Sequence, residues 1–544
     1  MSLPRFFSRV NDSIGPLLSA RADVRTFLAE KSVSLQAPTD LEQHHLHVAG
    51  FLLLVNLCAR LYPRIHVVAS PRIVDEARAL VLKINPTGDV TTGAATTTAD
   101  ATLAWCCSRS APSASTIVVA PVGWEVLIDL PDSGALHATN MLASLAAATI
   151  GAAAIFRRVF AELLPQGREG VEPGRFNVLT HAPAATTLPD LPPDIPLGRV
   201  HLVGAGAVGQ AAIYALARVS ATGTITVVDP EVITLSNLQR YVLTLDTDES
   251  VSKCAIAERA LLGTRLDFVP VESEWSTDLL ETESAEVICA AVDTEDIRIA
   301  LQASLPRRVY NAWTQPADIG WSRHEQFGVE PCAACLYWPT GPRPSYHELV
   351  ARALRQHELR VLAHLSFRVP VDNPLETGQI PQLPDIPAPP EAPSWLARSL
   401  LDDVAVGLGI DAHNLASWRG RSIQDLYREG ICGGALIRAQ AGEIPTEMAV
   451  PLAHQSVLAG IMLATQLLVA AHPQLLPYRP AVIEARLDLL APFPQIALRP
   501  RQQTPGCICS DPDFIARYRS KWPWPREQSF SPAAPVEEGR EGPG

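Results

Sequence analysis

Residues 199–209, RVHLVGAGAVG, decide the fold. A short strand-like run, Arg199–Val203, leads straight into Gly204-Ala205-Gly206, and a small-residue helical pattern follows from Ala207 to Val219. Glycines at such a junction let the backbone approach a phosphate or ribose, and the helix N-terminus behind them favours negative charge. Asp229 closes a second strand, Thr224–Val228, about 20 residues on, where an acid bonds a ribose hydroxyl. Taken alone, this unit is shared with nicotinamide-dependent dehydrogenases.

Working outward, Glu286–Ala291 is another strand, and the alternation of strand and helix up to Asn311 predicts a doubly wound parallel sheet. Upstream, Arg64–Ala69, Ala101–Cys106 and Thr116–Ala120 are strand-like, with no glycine-rich phosphate loop among them. The helical stretch Met141–Phe160 shares its small-residue texture with Val457–Ala471 near the other end. We read the N-terminal region as a degenerate copy of the nucleotide-binding unit, packed on it as a pseudo-dimer. An unrelated α/β domain is the alternative.

Proline-rich segments mark the joints. Pro183–Pro196 separates the two units, and Pro370–Pro393 lies inside a later insertion and is expected to be extended. The division expected is an inactive α/β domain over 1–182 and a linker over 183–197. A nucleotide-binding domain over 198–335 and an insertion over 336–431 follow. The domain then returns over 432–515, ahead of a disordered tail over 516–544, most plainly unstructured in composition after Pro523. Tyr346–Leu365 and Trp395–Val406 are helical stretches within the insertion.

A length of 544 residues implies more than one domain, and a net charge of −13 argues against nucleic-acid binding through phosphate contacts. The first residues, MSLPRFFSRVNDSIG, carry no apolar run of signal-peptide length, so a cytoplasmic location is expected. Two uncharged stretches, His137–Phe156 and Ser456–Ala471, are too rich in small and polar residues for membrane spans and read as buried core helices. Lysine occurs only at Lys31, Lys83, Lys253 and Lys521. Arginine-biased coding explains this, as does an enzyme that gains from few amines near an activated acyl group.

The residues downstream of Asp229 narrow the chemistry. Asp229-Pro230-Glu231-Val232 runs into Leu235-Ser236-Asn237-Leu238-Gln239-Arg240, then Ser252-Lys253, then Ala290-Ala291-Val292-Asp293 and Arg298. In this order the series resembles the ThiF/MoeB/HesA superfamily, which includes the ubiquitin-activating enzymes. The resemblance covers roughly residues 198–335 and resumes over 432–509. It implies a Rossmann-like adenylation fold that binds ATP through Gly204, Gly206, Gly209, Asp229, Glu231, Asn237, Arg240, Lys253 and Asp293. Arg240 and Lys253 would supply positive charge for the phosphates, and Asp293 would coordinate Mg²⁺. Asp229 would hold the ribose, and Asn237 would position the triphosphate. The family usually follows its Ser-Asn-Leu-x-Arg with glutamine, and this chain has Tyr241, which leaves the carboxylate partner open. The family architecture also sends an arginine across from the other half; Arg21 and Arg25 are candidates.

The cysteines give the rest. Cys332-Ala333-Ala334-Cys335 has the spacing of half a tetrahedral zinc site. The resemblance implies Cys507-Ile508-Cys509 as the other half, although the family often has C-x-x-C there, and on the residues alone two unrelated cysteine pairs is the alternative. In ThiF-like members a cysteine between the C-x-x-C and the second small-residue helix attacks the acyl-adenylate, so the resemblance implies Cys432 as the residue to carry a thioester. A buried structural cysteine is the alternative, because the insertion between Cys335 and Cys432 is long and no C-T-x-x-x-x-P pattern is present. Cys58, Cys106, Cys107, Cys254 and Cys289 lie in expected helices or strands and read as core.

The expectation is therefore an activating enzyme that adenylates the C-terminal glycine of a ubiquitin-like protein and passes it through a thioester to a conjugating enzyme. The fused arrangement resembles bacterial activating enzymes of ubiquitin-like conjugation operons linked to phage defence. The alternatives are a sulfur-carrier or peptide adenylyltransferase of ThiF/MoeB type, and a pseudoenzyme that binds without turnover.

Overall fold

The computed structural model describes residues 13–18, 23–93, 99–106, 116–130, 140–168, 170–182, 188–276, 285–315, 318–338, 345–376, 395–427 and 451–523. The N-terminal half runs α1 (Val24–Ala29), β1 (Ser32–Gln36), α2 (His45–Ala59), β2 (Arg64–Val68), α3 (Pro71–Ile84), β3 (Asp89–Thr92) and β4 (Ala101–Trp105). It continues with β5 (Thr116–Val122), β6 (Glu125–Ile128), α4 (Met141–Val159) and β7 (Gly174–Asn177). The C-terminal half begins β8 (Ile195–Val203), α5 (Ala207–Leu216), β9 (Ala221–Val228), α6 (Lys253–Leu261), β10 (Arg265–Val271), β11 (Val287–Ala290) and α7 (Glu295–Ala303). Next come β12 (Arg308–Thr314), β13 (Ile319–His324) and α8 (Ala333–Tyr337), followed by insertion helices α9 (Tyr346–Leu354), α10 (Glu358–Phe367) and α11 (Leu400–Leu408). The chain returns as α12 (Ala453–Ala470), β14 (Glu484–Asp488), β15 (Gln495–Arg499) and α13 (Pro512–Lys521).

The two sheets repeat one topology. The first has the order β3-β2-β1-β4-β5-β6-β7 and the second β10-β9-β8-β11-β12-β13-β14-β15. In each, the first five strands in sequence are parallel and the later ones antiparallel. Helix α2 occupies in the first half the place of α5 in the second, and α4 that of α12. These four helices pack on one another between the sheets. The similar texture of α4 and α12 thus has a structural cause: both are core helices at corresponding positions, 94% and 100% buried within the fold, although each has the length and apolarity of a membrane span. Close approach is built into both helix pairs. A Cβ on Gly50 of α2 would stand 2.5 Å from Ser144 Oγ of α4, and one on Gly460 of α12 would stand 2.4 Å from Ala211 Cβ of α5.

One hydrophobic core runs through both sheets, from Ile14 to Leu490. The insertion holds a separate core of Val350, Leu354, Val361, Leu400, Val404, Trp418 and Leu426.

Four expected boundaries change. The stretch read as helical from Trp395 becomes a helix only at Leu400, where Ser399 caps it. Strand β8 starts at Ile195, inside the stretch read as linker, because a bulge between Pro196 and Arg199, with Gly198 at φ +69°, lets a proline-containing segment continue the sheet. Tyr346–Leu365 is two helices, since Arg355 adopts a left-handed conformation (φ +53°) that ends α9. The tail read from 516 onward is helical to Lys521, held by Tyr518 Oη on Arg307 O (2.8 Å), Lys521 Nζ on Ser304 O (3.0 Å) and Trp522 Nε1 on Leu305 O (2.8 Å).

Candidate functional site

The glycine loop lies at the carboxyl ends of β8, β9 and β11. Gly204 N donates to Val228 O at 2.9 Å, and Ala291 N donates to Val203 O at 2.9 Å, so three strand ends are tied at one point. Gly204 has φ +95°, and a Cβ there would meet Ala291 O at 2.6 Å. Gly209, one turn into α5, faces back on the loop; a Cβ would fall 1.9 Å from Gly204 O. Gly206 is the N-cap of α5. The missing Cβ atoms let the loop, the Ala291 turn and the first turn of α5 close on one another, with the loop at the N-terminus of α5, an arrangement that suits a phosphate.

Asp229, 6% exposed, binds the loop directly: its Oδ2 accepts from Ala205 N at 2.7 Å and its Oδ1 from Glu231 N at 2.9 Å. Lys253 opens α6, where the side chain of Ser252 caps Cys254 N. Its ammonium is buried, paired with the exposed Glu231 carboxylate, and 3.8 Å from Asp229 Oδ1. Burial pulls the Lys253 pKa down, but Tyr241, Asp229 and Glu231 outweigh it and hold it above the usual range. Burial raises the Asp229 carboxyl despite Lys253 and two backbone donors. A permanent cation on a buried carboxylate is thus presented beside the loop.

Asn237 fixes the next segment. Its side-chain oxygen accepts from Thr234 N at 2.9 Å and its carbonyl accepts from Arg240 N and Tyr241 N, forming the turn that carries both residues. Tyr241, 5% exposed, lies across the loop, its phenol oxygen 3.4 Å from where a Gly206 Cβ would be. The Lys253 ammonium is 5.4 Å and the Arg240 guanidinium carbon 5.3 Å from the Tyr241 ring centre. The ring is therefore flanked by the two candidate phosphate cations.

Asp293 follows β11 and is exposed. Arg298, one turn into α7, is buried and donates to Val292 O, Ala312 O and Asn311 Oδ1, which pins the loop that presents Asp293. Burial lowers the Arg298 pKa, and Asp293 is among the charges opposing that.

The four cysteines converge. Cys332, Cys335, Cys507 and Cys509 place their sulfurs within 4.8 Å of one another, with Cys332–Cys507 at 3.6 Å, Cys332–Cys335 at 3.9 Å and Cys335–Cys509 at 3.3 Å. A tetrahedron with zinc–sulfur bonds of ~2.3 Å has sulfur–sulfur edges of about 3.8 Å. These distances match it and are far from the ~2.05 Å of a disulfide. Thr504 N donates to Cys335 Sγ at 3.4 Å, and Leu305, Phe327 and Tyr518 pack around the cluster. The set can hold a metal ion.

Cys432, Cys107 and Arg21 lie outside the described residues. Arg25 is exposed on α1. Cys58, Cys106, Cys254 and Cys289 are buried, as expected for core. Sequence reasoning missed Arg60 and Asn56, which reach from the N-terminal half to the carbonyls of 238–244. The signal was present: a lone charge at the end of the apolar run GFLLLVNLCAR.

Residues 194–351 match the ThiF family. Over 487 residues the chain is 32% identical to an uncharacterized protein, y4jF, of Sinorhizobium fredii, covering 86% of this chain and 87% of that one. Among solved structures it is similar to PaaA (22% identical, TM-score 0.22) and to MccB of E. coli solved with MccA (20% identical, TM-score 0.23). In both cases the match takes in 25% of this chain and 44% of theirs, so the chain spans less than half the length of those structures. The glycine loop, Asp229, the 237–240 segment, Lys253 and Asp293 all fall inside the matched domain, and the likeness to y4jF extends through both halves: the chain belongs to the ThiF family.

Proposed function

We propose that the protein is an ATP-dependent activating enzyme that adenylates the C-terminal glycine of a ubiquitin-like protein. The observation that carries this reading is the convergence of the glycine loop, Asp229, Lys253 and the Asn237–Arg240 turn at three strand ends. The glycine carboxylate attacks the α-phosphorus of ATP; the acyl-phosphate bond forms, the bond to the β-phosphate oxygen breaks, and pyrophosphate leaves. Lys253 and Arg240 hold the phosphates, and the α5 N-terminus with its glycine amides takes up developing negative charge. Asp229 serves the ribose. Asp293 would hold Mg²⁺, which would supply positive charge to the phosphates. Zinc in the four-cysteine set would be structural, clamping the return of the chain.

The Cys432 thiolate then attacks the acyl carbonyl, AMP departs, and the thioester passes to a conjugating enzyme, with antiviral defence as the proposed setting. The N-terminal half, which repeats the sheet order without a glycine loop, serves as the inactive partner of a pseudo-dimer.

Pyrophosphate exchange into ATP, dependent on a ubiquitin-like protein ending in glycine, tests the first step. Asp293→Ala should lower the exchange rate by about 10²-fold or more. Exchange that persists undiminished in Asp293→Ala, or is absent with every carboxyl terminus offered, would sink the assignment. A reductant-sensitive thioester lost in Cys432→Ala marks conjugation, whereas an adenylate consumed by sulfide marks the sulfur-carrier alternative. A folded, active preparation free of zinc by metal analysis removes the zinc assignment.

A further inference from the structure

The segment 238–244 carries Arg240 and Tyr241 yet belongs to no helix or sheet, so its carbonyls lack ladder partners. Three of them, Leu238 O, Val242 O and Thr244 O, are met from the other half of the chain, while Leu243 O accepts from Arg259 Nη2 (3.1 Å) and Tyr241 O from Thr244 N (3.1 Å) within its own half. Arg60, which caps α2, is fully buried. It donates through Nη1 to Leu238 O and through Nη2 to Val242 O (3.0 Å) and Thr244 O (2.9 Å). Its Nε donates to Asn56 Oδ1 at 2.8 Å, and Asn56 Nδ2 donates to Val242 O at 3.1 Å, so the amide orients the guanidinium and shares its target. Two side chains of the segment add further bonds. Gln239 Nε2 reaches Ser13 Oγ at 2.9 Å, and Thr244 Oγ1 donates to Gln210 Oε1 of α5 at 3.1 Å. A rigid fork with no acceptor of its own is suited to gathering several carbonyls at once, which an ammonium cannot do with the same geometry.

We propose that Arg60, oriented by Asn56, is a positioning residue of the adenylation site. Through it the N-terminal half sets the path of 238–244, and so the place of Arg240 and Tyr241 over the glycine loop. The inference rests on the reading of that loop as the ATP site. It gives the half without a phosphate loop a defined task in nucleotide binding, in addition to bulk support.

The protein supplies its own control. Arg157 of α4 is a second buried guanidinium of the N-terminal half that bonds carbonyls of the other, Leu489 O and Pro492 O, far along the chain from the loop. ATP affinity is measured by displacement of a fluorescent ATP analogue from wild type, Arg60→Lys, Asn56→Ala and Arg157→Lys, each with a thermal melt. Loss of charge-assisted hydrogen bonds should weaken ATP binding about tenfold in Arg60→Lys and about threefold in Asn56→Ala. In pyrophosphate exchange the loss should appear in KM for ATP more than in kcat. Arg157→Lys should lower the melting temperature while leaving ATP affinity within about twofold of wild type. Equal losses of affinity in the two arginine variants, or wild-type affinity in both Arg60→Lys and Asn56→Ala, overturn the proposal. A wild-type chain that binds no ATP instead overturns the reading of the site on which it rests.

Discussion

Gly204 is where backbone conformation and chemistry meet. Its φ of +95° is outside the range of L side chains, and its missing Cβ leaves room for Ala291 O. The carbonyl that blocks a side chain there belongs to the segment leading to Asp293, so a methyl group at 204 would push two parts of the site apart together. Gly204→Ala is expected to cost roughly 1–3 kcal/mol of stability from backbone strain alone and to abolish detectable ATP binding. A melt together with a nucleotide titration checks this, and ATP binding at wild-type strength would refute the role given to the loop. Tyr241 adds what the glycine cannot: a ring with two cations within 5.4 Å of its centre beside the loop.

At the scale of elements, the contact between α4 and α12 has a titratable group in it. His454, 4% exposed, lies 5.8 Å from the Phe156 ring, and burial, aided by Arg157, pulls its pKa down to about 3 from an ordinary 6.5. The unfolded chain takes up a proton near pH 6.5 that the folded chain refuses, so this contribution to stability is present above pH 6.5 and is lost as pH falls toward 3. His181 and His324 act in the same sense, with values of about 3 and about 4 set first by burial. His454→Leu should therefore flatten, without removing, the fall in stability between pH 6.5 and 5, by up to about 1.4 kcal/mol per pH unit. Denaturant midpoints across that range measure it; an unchanged slope would show that His454 titrates alike in the folded and unfolded chains. Elements of this kind were legible in the sequence: the small-residue texture of both helices and the strand–glycine–helix unit follow from local pattern, whereas the two cysteine pairs were joined only through the family resemblance, and the structure brings them together. The start of β8 was not, because Pro196 and Gly198 disguise a strand that a bulge restores. Nor was the break at Arg355, where a left-handed arginine ends a helix that composition would continue. Arg60 was missed for a different reason: its partners are carbonyls nearly 180 residues away, and carbonyls have no sequence signature.

The whole molecule is two topologically matching sheets on one core, and that arrangement decides how separable its halves are. Domains joined by a linker and a modest polar interface move or part when the linker is cut. Here the core that begins at Ile14 continues to Leu490, the four central helices come from both halves, and two buried arginines of the first half bond only uncharged groups, most of them carbonyls of the second. Separation would expose those helix faces and leave two charges to be resolvated and their carbonyls unpaired, a cost of the kind that holds obligate interfaces together. A protease site placed between Ala182 and Leu188 should therefore yield a nicked chain that elutes as one species and melts in one transition. It should also keep ATP affinity within about twofold of the intact chain. Two eluting fragments, or a first transition belonging to the N-terminal half alone, would contradict the shared core. A nicked complex that stays together but loses ATP would separate the two roles, leaving the core intact while showing that covalent continuity through residues 183–187 is itself needed to keep Arg60 on its carbonyls.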